Sequence, residues 1–97
     1  MRIISRRALH SFWEKHPDSR LALGIWYHDV NRADWSSPSD IKAIYQNASF
    51  LANNRVVFNI KGNRYRLVIV VIYQYGIVYI RFVGTHEEYD QIDAATI

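Results

Sequence analysis

Hydrophobic residues follow different periodicities in the two halves of the chain. Between residues 5 and 45 they recur every three or four positions, as on one face of a helix. Between residues 55 and 83, Val, Ile, Tyr and Phe are frequent and their positions follow a period of two. Helices that precede a run of strands are typical of an α+β domain, and the chain has no Pro- or Gly-rich linker. We therefore predict one domain spanning residues 1–97.

The first half predicts two helices and a shorter third segment. Ser5 is placed to cap the first helix, and Pro17 both ends that helix and can start the second. A short third helix or capped turn is expected between Trp35 and Tyr45. The residues expected to share an apolar stripe are Leu9, Phe12, Trp13 and His16 in the first helix, Ala22, Ile25, Trp26 and Val30 in the second, and Ile41, Ala43 and Ile44 in the third.

The second half predicts an antiparallel meander of three strands. The expected strands are Arg55 to Lys61, Arg64 to Tyr73 and Ile77 to Val83. The connections at residues 62–63 and 74–76 each contain Gly and are of the hairpin type. Met1 to Ile4 could add a short edge strand, and a short helix is expected after Thr85. The predicted architecture is therefore two to three helices packed on the meander.

Side-chain alternation divides the meander into two faces. The face expected under the helices holds Val56, Phe58, Ile60, Leu67, Ile69, Val71, Val78, Ile80 and Phe82. The opposite face is expected to hold Val57, Asn59, Lys61, Arg64, Arg66, Val68, Val70, Tyr79, Arg81 and Val83. Arginine can bind phosphate with two parallel hydrogen bonds, and the Tyr79 ring could stack on a base, so this combination fits single-stranded RNA. A solvated face with incidental charges is the alternative interpretation.

Charge and cysteine content narrow the function classes only slightly. Twelve Lys and Arg residues against nine Asp and Glu give a net charge of +3, which favours a polyanionic partner without requiring one. The chain has no cysteine, which excludes disulfides and thiolate chemistry and suits a reducing compartment, so we expect a cytoplasmic protein. The first residues lack the apolar region of a signal peptide, and no apolar run is long enough to span a membrane.

The segment Thr85 to Asp90 carries the candidate acid and base. Thr85 and Glu88 form a Thr-x-x-Glu capping box, so their expected role is structural. His86 and Tyr89 are three residues apart and would project from the same side of a helix, at the edge of the cationic face. Cleavage of RNA by its own 2′-hydroxyl needs a base, a proton donor and cations, for which His86, Tyr89, Arg66 and Arg81 are candidates. No His-x-His or His-Glu-x-x-His spacing occurs, so neither a metal site nor another cofactor is expected.

Three stretches are specific in combination, although each is weak alone. They are Asn54-Arg55-Val56-Val57-Phe58-Asn59-Ile60-x-Gly62-Asn63-x-Tyr65-Arg66-Leu67, then Tyr79-Ile80-Arg81, then Thr85-His86-x-Glu88-Tyr89-Asp90. With these stretches the chain resembles the HigB family of bacterial RelE-like toxins. The likeness extends over nearly the whole chain and is less distinctive in the helical half.

The resemblance implies a RelE-like fold, cleavage of mRNA that is usually coupled to translation on the ribosome, and neutralisation by a HigA-type antitoxin with a helix-turn-helix. It agrees with Arg66, Arg81, His86 and Tyr89 as catalytic residues, without deciding which is the base and which the acid. The residues expected to contact RNA beside them are Asn59, Lys61, Arg64 and Tyr79. Trp26, Tyr27 and Trp35 are candidates to contact the antitoxin. A non-catalytic RNA-binding module and a protein-interaction adaptor remain alternatives.

Overall fold

The computed structural model describes residues 1–97 and has the predicted α+β architecture. Its elements are β1 (Arg2–Ile4), α1 (Arg6–Lys15), α2 (Arg20–Arg32), α3 (Pro38–Ile44), β2 (Ser49–Leu51), β3 (Arg55–Ile60), β4 (Tyr65–Ile72), β5 (Ile77–Thr85) and α4 (His86–Tyr89), with 3₁₀ turns at Pro17–Ser19 and Tyr73–Tyr75. None of the helices combines the length and the apolar content needed to cross a bilayer.

The sheet has five strands in the order β1-β5-β4-β3-β2. The antiparallel meander of β3, β4 and β5 is confirmed, and so is the short N-terminal edge strand. β1 pairs with β5 in parallel, which makes the sheet mixed. Strand β2 was not predicted; it pairs antiparallel with residues Arg55 to Val57 of β3. Three residues are too few for a pattern of period two to identify such a strand.

The helices cover one face of the sheet and form the main core with it. Leu9 of α1, Leu23 and Trp26 of α2 and Ile41 of α3 are buried against strand residues. All the residues predicted for the covered face lie in this core except Phe82. In α2 the prediction for Ile25 was wrong, because Ile25 is exposed and Leu23 takes the buried position.

A β-bulge in β5 explains why Phe82 departs from the prediction. Ile69 of β4 pairs with Ile80, but the preceding residue Val68 pairs with Phe82, so Arg81 is an extra residue without a partner on β4. An extra residue reverses the alternation for everything that follows it. Phe82 therefore lies on the face away from the helices, and Val83, which was predicted there, packs against the main core instead.

The face away from the helices, called the second face below, is partly covered. Val57 and Val68 are buried there together with Ala94, and Ile92 and Ile97 pack beside them. Two side chains from β3 and the turn before it hold this C-terminal segment: the Asn53 amide donates to Ala95 O at 2.9 Å and Arg55 Nε donates to Ile97 O at 3.1 Å. This cover over part of the second face was not predicted.

Two expectations for the helices also fail. Ser5 precedes α1 as predicted, but it has a left-handed backbone with φ of 74°, and its hydroxyl makes no capping hydrogen bond. In α3 only Ile41 is buried, whereas Ala43 is exposed and Ile44 remains 65% exposed. A helix of seven residues has only about two turns, so it buries few side chains.

Candidate active site

Arg66 lies on the second face between two neighbouring strands. The strand register places Asn59 of β3 on one side of it and Gly84 of β5 on the other. Its Nη1 donates to Asn63 O at 2.9 Å and to Tyr65 O at 3.3 Å. Its Cζ lies 6.0 Å from the centroid of the Tyr89 ring, within the range of a cation–π contact. The guanidinium is therefore held in place while its other nitrogen atoms can still donate to a ligand.

The helix α4 begins directly where β5 ends, and the predicted capping box fixes it there. Thr85 Oγ1 accepts from the backbone N–H of Glu88 at 3.1 Å, and Glu88 Oε1 accepts from the backbone N–H of Thr85 at 2.8 Å. The backbone N–H of His86 donates to Arg64 O at 3.2 Å, which ties α4 to the start of β4. These bonds place His86 and Tyr89 next to the strand that carries Arg66.

Gly84 leaves the space that this arrangement needs. A Cβ at position 84 would lie 2.5 Å from Cζ of Phe82 and 3.0 Å from Oε1 of Glu88. The first distance is well below the separation of about 3.5–4.0 Å between non-bonded carbon atoms, so a side chain here would displace the Phe82 ring or the capping carboxylate. Phe82 in turn contacts Tyr89, with ring centroids 6.4 Å apart.

His86 is exposed and has an acidic neighbour on the same helix side. Its Nδ1 lies 3.2 Å from Oδ2 of Asp90, four residues further on. A neutral imidazole that donates Nδ1–H to Asp90 has its lone pair on Nε2, which is the form able to accept a proton. Asp90 was not among the predicted site residues. The signal was its spacing of four residues from His86, which on a helix brings two side chains together.

Arg81 lies apart from Arg66. As the extra residue of the bulge it lines a cleft between β5 and α1, together with Lys15, His16 and Glu88. Arg66 pairs with Gly84 of β5, and Arg81 lies three residues before Gly84. Three residues along a strand separate Arg81 from the position of Arg66 by roughly 10 Å. The structure therefore brings Arg66, Tyr89 and Asn59 together and leaves Arg81 at the border of the second face.

Arg64 is engaged by an acidic residue on the helical side. Its Nη1 lies 2.6 Å from Oδ2 of Asp18, and the Tyr65 hydroxyl donates to Oδ1 of the same carboxylate at 2.5 Å. The hydrogen bond from Tyr65, followed by that from Arg64, lowers the pKa of Asp18 below its ordinary value. The expectation that Arg64 shares the face of Arg66 was wrong, because Arg64 belongs to the turn before β4 and not to the strand.

The remaining predicted RNA contacts are spread over the sheet. Asn59 is exposed beside Arg66, and Lys61 is exposed in the turn between β3 and β4. Tyr79 is half-buried on β5 and pairs with Val70, four residues along β4 from Arg66. At roughly 3.3 Å per residue this separates Tyr79 from Arg66 by about 13 Å.

The comparisons with known proteins all indicate the same family. Residues 19–92 match the model of the HigB toxin family, described as the RelE-like toxic component of a toxin-antitoxin system. The mRNA interferase toxin HigB of Escherichia coli strain K12 is 32% identical over 93 residues, which cover 93% of this chain and 88% of that protein. The mRNA interferase HigB of Escherichia coli O6:H1 strain CFT073 is 26% identical over 94 residues, covering 95% of this chain and 91% of the relative.

Proposed function

This chain belongs to the HigB family of RelE-like toxins, the toxic components of toxin-antitoxin systems, and we propose that it is an endoribonuclease that cleaves mRNA and so inhibits translation. The observation that carries the proposal is the fixed guanidinium of Arg66 beside Tyr89, on the short helix that also carries His86. Relatives that cover nearly the same length are named as mRNA interferases.

The proposed reaction is a transesterification within the RNA and needs no bound metal. The 2′-oxygen attacks the adjacent phosphorus, the bond from phosphorus to the 5′-oxygen breaks, and the products end in a 2′,3′-cyclic phosphate and a 5′-hydroxyl. His86 accepts the proton of the 2′-hydroxyl through Nε2, and the Tyr89 hydroxyl donates a proton to the departing 5′-oxygen. Arg66 stabilises the charge that develops on the phosphate oxygens.

The substrate fits this face as a single strand. Arg66 offers the donors of its guanidinium to a phosphate, and Asn59 is exposed beside it for a base edge or a sugar. The C-terminal segment covers Val57 and Val68 on the same face, which limits the accessible part to the end of the sheet next to α4. So short a platform holds only a few nucleotides, and we infer that the ribosome presents the mRNA in the cytoplasm.

The proposed partner is a HigA-type antitoxin with a helix-turn-helix. We now expect it to dock on a different surface from the one predicted from the sequence. Trp26 and Trp35 are only 2% and 4% exposed, so they cannot form a docking surface as predicted. Large apolar side chains are exposed nearby instead: Leu21 is 76%, Ile25 54% and Ile44 65% exposed. Exposed apolar side chains that lie together are typical of interaction sites.

Arginines lie at the edge of these exposed apolar side chains, which indicates the chemistry of the partner. Leu21 and Ile25 line a groove with Arg20, and Ile44 lines the adjoining groove with Arg32 and Asp29. We therefore expect an amphipathic antitoxin segment with acidic residues beside its apolar ones. Ile25→Asp should abolish complex formation and leave cleavage unchanged, whereas Tyr75→Asp, a matched control in the β4–β5 connection that is 69% exposed, should leave both intact.

Translation in a bacterial extract tests the proposed activity. Purified protein should stop synthesis and leave defined cuts in the mRNA, and His86→Ala should lose the cuts while ribosome binding persists. If the wild-type protein stops translation without leaving any cuts, it is a non-catalytic RNA-binding module. If neither protein binds ribosomes or RNA, it is a protein-interaction adaptor.

A further inference from the structure

A cleft of about 390 Å³ separates α1 from the free edge of β5. β1 pairs with β5 only as far as Tyr79, so the following residues of β5 have no neighbouring strand on that side. Helix α1 runs beside this edge and contributes Ser11, Phe12, Lys15 and His16 to the cleft.

The side chains that line the cleft give it an excess of free cations. Lys15 and Arg81 both line it, and neither forms an ion pair within the protein. The acidic residue in the lining is Glu88, whose Oε1 already accepts the backbone N–H of Thr85 in the capping box. The His16 ring stacks on Phe12 with centroids 4.4 Å apart, which leaves it flat against the wall of the cleft. Such a surface suits phosphate groups better than a cationic or purely apolar ligand.

The bulge in β5 and the residue spacing on α1 place cations on both sides of the cleft. Bulges are frequent next to functional sites, where they change the direction of a side chain, and here the extra residue is Arg81. On α1, Arg7, Ser11 and Lys15 are each four residues apart and all exposed, so they share one side of the helix. The cleft extends to α4, where Glu88 lines it and the next residue, Tyr89, contacts Arg66.

We propose that the α1–β5 cleft binds backbone phosphates of RNA outside the scissile position, held by Lys15, which lines the cleft, and by Arg7, which lies about two turns earlier on the same side of α1. The inference rests on the proposed function, since it continues the RNA path from the candidate active site around α4. Two RNAs carry this chemistry, the mRNA itself and ribosomal RNA, and both present the same phosphate diester to the cleft.

The test measures how RNA binding depends on salt, because each phosphate contact contributes to that dependence. In a His86→Ala background, which prevents cleavage, dissociation constants for a single-stranded RNA of 12 nucleotides are measured at several salt concentrations. Lys15→Gln should reduce the slope of log K against log salt by about 0.7, and Arg7→Gln with Lys15→Gln by about 1.4. Arg32→Gln, which removes the same charge from the far end of α2, should change the slope much less. The second arm repeats the measurement with 70S ribosomes free of mRNA.

The two arms identify the source of the phosphates. A reduced slope with the oligonucleotide indicates mRNA, and a reduced slope with ribosomes alone indicates ribosomal RNA. Equal slopes for Lys15→Gln and Arg32→Gln in both arms, or a loss of antitoxin binding instead of RNA binding, would overturn the proposal. If the wild-type protein cleaves mRNA but the substitutions at Lys15 and Arg7 leave the slopes unchanged, only the cleft proposal is refuted. If these substitutions alter the slopes but the wild-type protein cleaves no mRNA, only the proposed activity is refuted.

Discussion

Replacing Gly84 by alanine tests whether the packing between β5 and α4 holds the candidate active site in place. The added methyl would lie 2.5 Å from Cζ and 3.0 Å from Cε2 of Phe82, and 3.0 Å from Oε1 of Glu88. Overpacking of this kind typically costs about 1–3 kcal/mol. Phe82 is one of the side chains that pack around Val57 and Val68, so its ring cannot turn away without disturbing this cluster.

The assay combines stability with cleavage. We expect Gly84→Ala to lower the melting temperature by roughly 4–8 °C for each kcal/mol lost. At a temperature where the variant is fully folded, cleavage should still fall by about 10²-fold, because a displaced α4 moves His86 and Tyr89 relative to Arg66.

Matched variants separate packing from the general effect of a Gly to Ala change. Gly24 in α2 has no atom within 4 Å of an added Cβ, so Gly24→Ala should stabilise the protein by about 0.5–1 kcal/mol and leave cleavage unchanged. Adding Phe82→Leu to Gly84→Ala should recover part of the lost activity, because the smaller side chain makes room for the methyl. If Gly84→Ala is as stable and as active as wild type, the packing does not control the site.

Three further variants test individual contacts. Arg66→Ala should lower the cleavage rate by about 10²-fold and change the free energy of unfolding by only about 0.5 kcal/mol. Full activity of this variant in a single-turnover assay would refute the role of Arg66 at the phosphate. Asp90→Asn should lower kcat with little change in KM and alter the pH–rate profile, whereas a purely structural Asp90 would leave the profile unmoved. The hydrogen bonds from the Tyr65 hydroxyl and then from Arg64 lower the pKa of Asp18 in the folded protein. The stability that Asp18 contributes is therefore present above its ordinary pKa of 3.8 and is lost as the pH falls through its lower pKa in the folded state. Asp18→Asn should therefore remove part of the acid sensitivity seen in urea unfolding between neutral pH and pH about 3, and an unchanged sensitivity would contradict the contact.

The strand half of the fold could be predicted from the sequence because its signals are local. Alternating Val, Ile and Phe residues and the Gly-containing hairpin connections specify β3, β4 and β5 without reference to the rest of the chain. The Thr-x-x-Glu pattern likewise predicts α4 and its capping box. The same pattern predicts that His86 and Tyr89 follow directly after the last strand, which the structure confirms.

What the sequence could not predict depends on contacts between distant residues. The bulge at Arg81 has no signature in the alternation before it, so the positions of Phe82 and Val83 were inverted. The pair of Arg64 and Asp18 joins residues 46 positions apart. The C-terminal segment covers the second face through Ala94 and its neighbours, which lack a periodic pattern of their own.

The chemistry of the new RNA ends tests the central claim most directly. Isolated ribosome–mRNA complexes are treated with the protein, and the ends are identified by mass spectrometry after purification of the RNA. In the proposed reaction the 2′-hydroxyl attacks the phosphate held by Arg66, and His86 and Tyr89 transfer the protons. This reaction predicts a 2′,3′-cyclic phosphate on one fragment and a 5′-hydroxyl on the other. His86→Ala should give neither product. A 3′-hydroxyl paired with a 5′-phosphate, or unchanged cleavage by His86→Ala, would contradict the account.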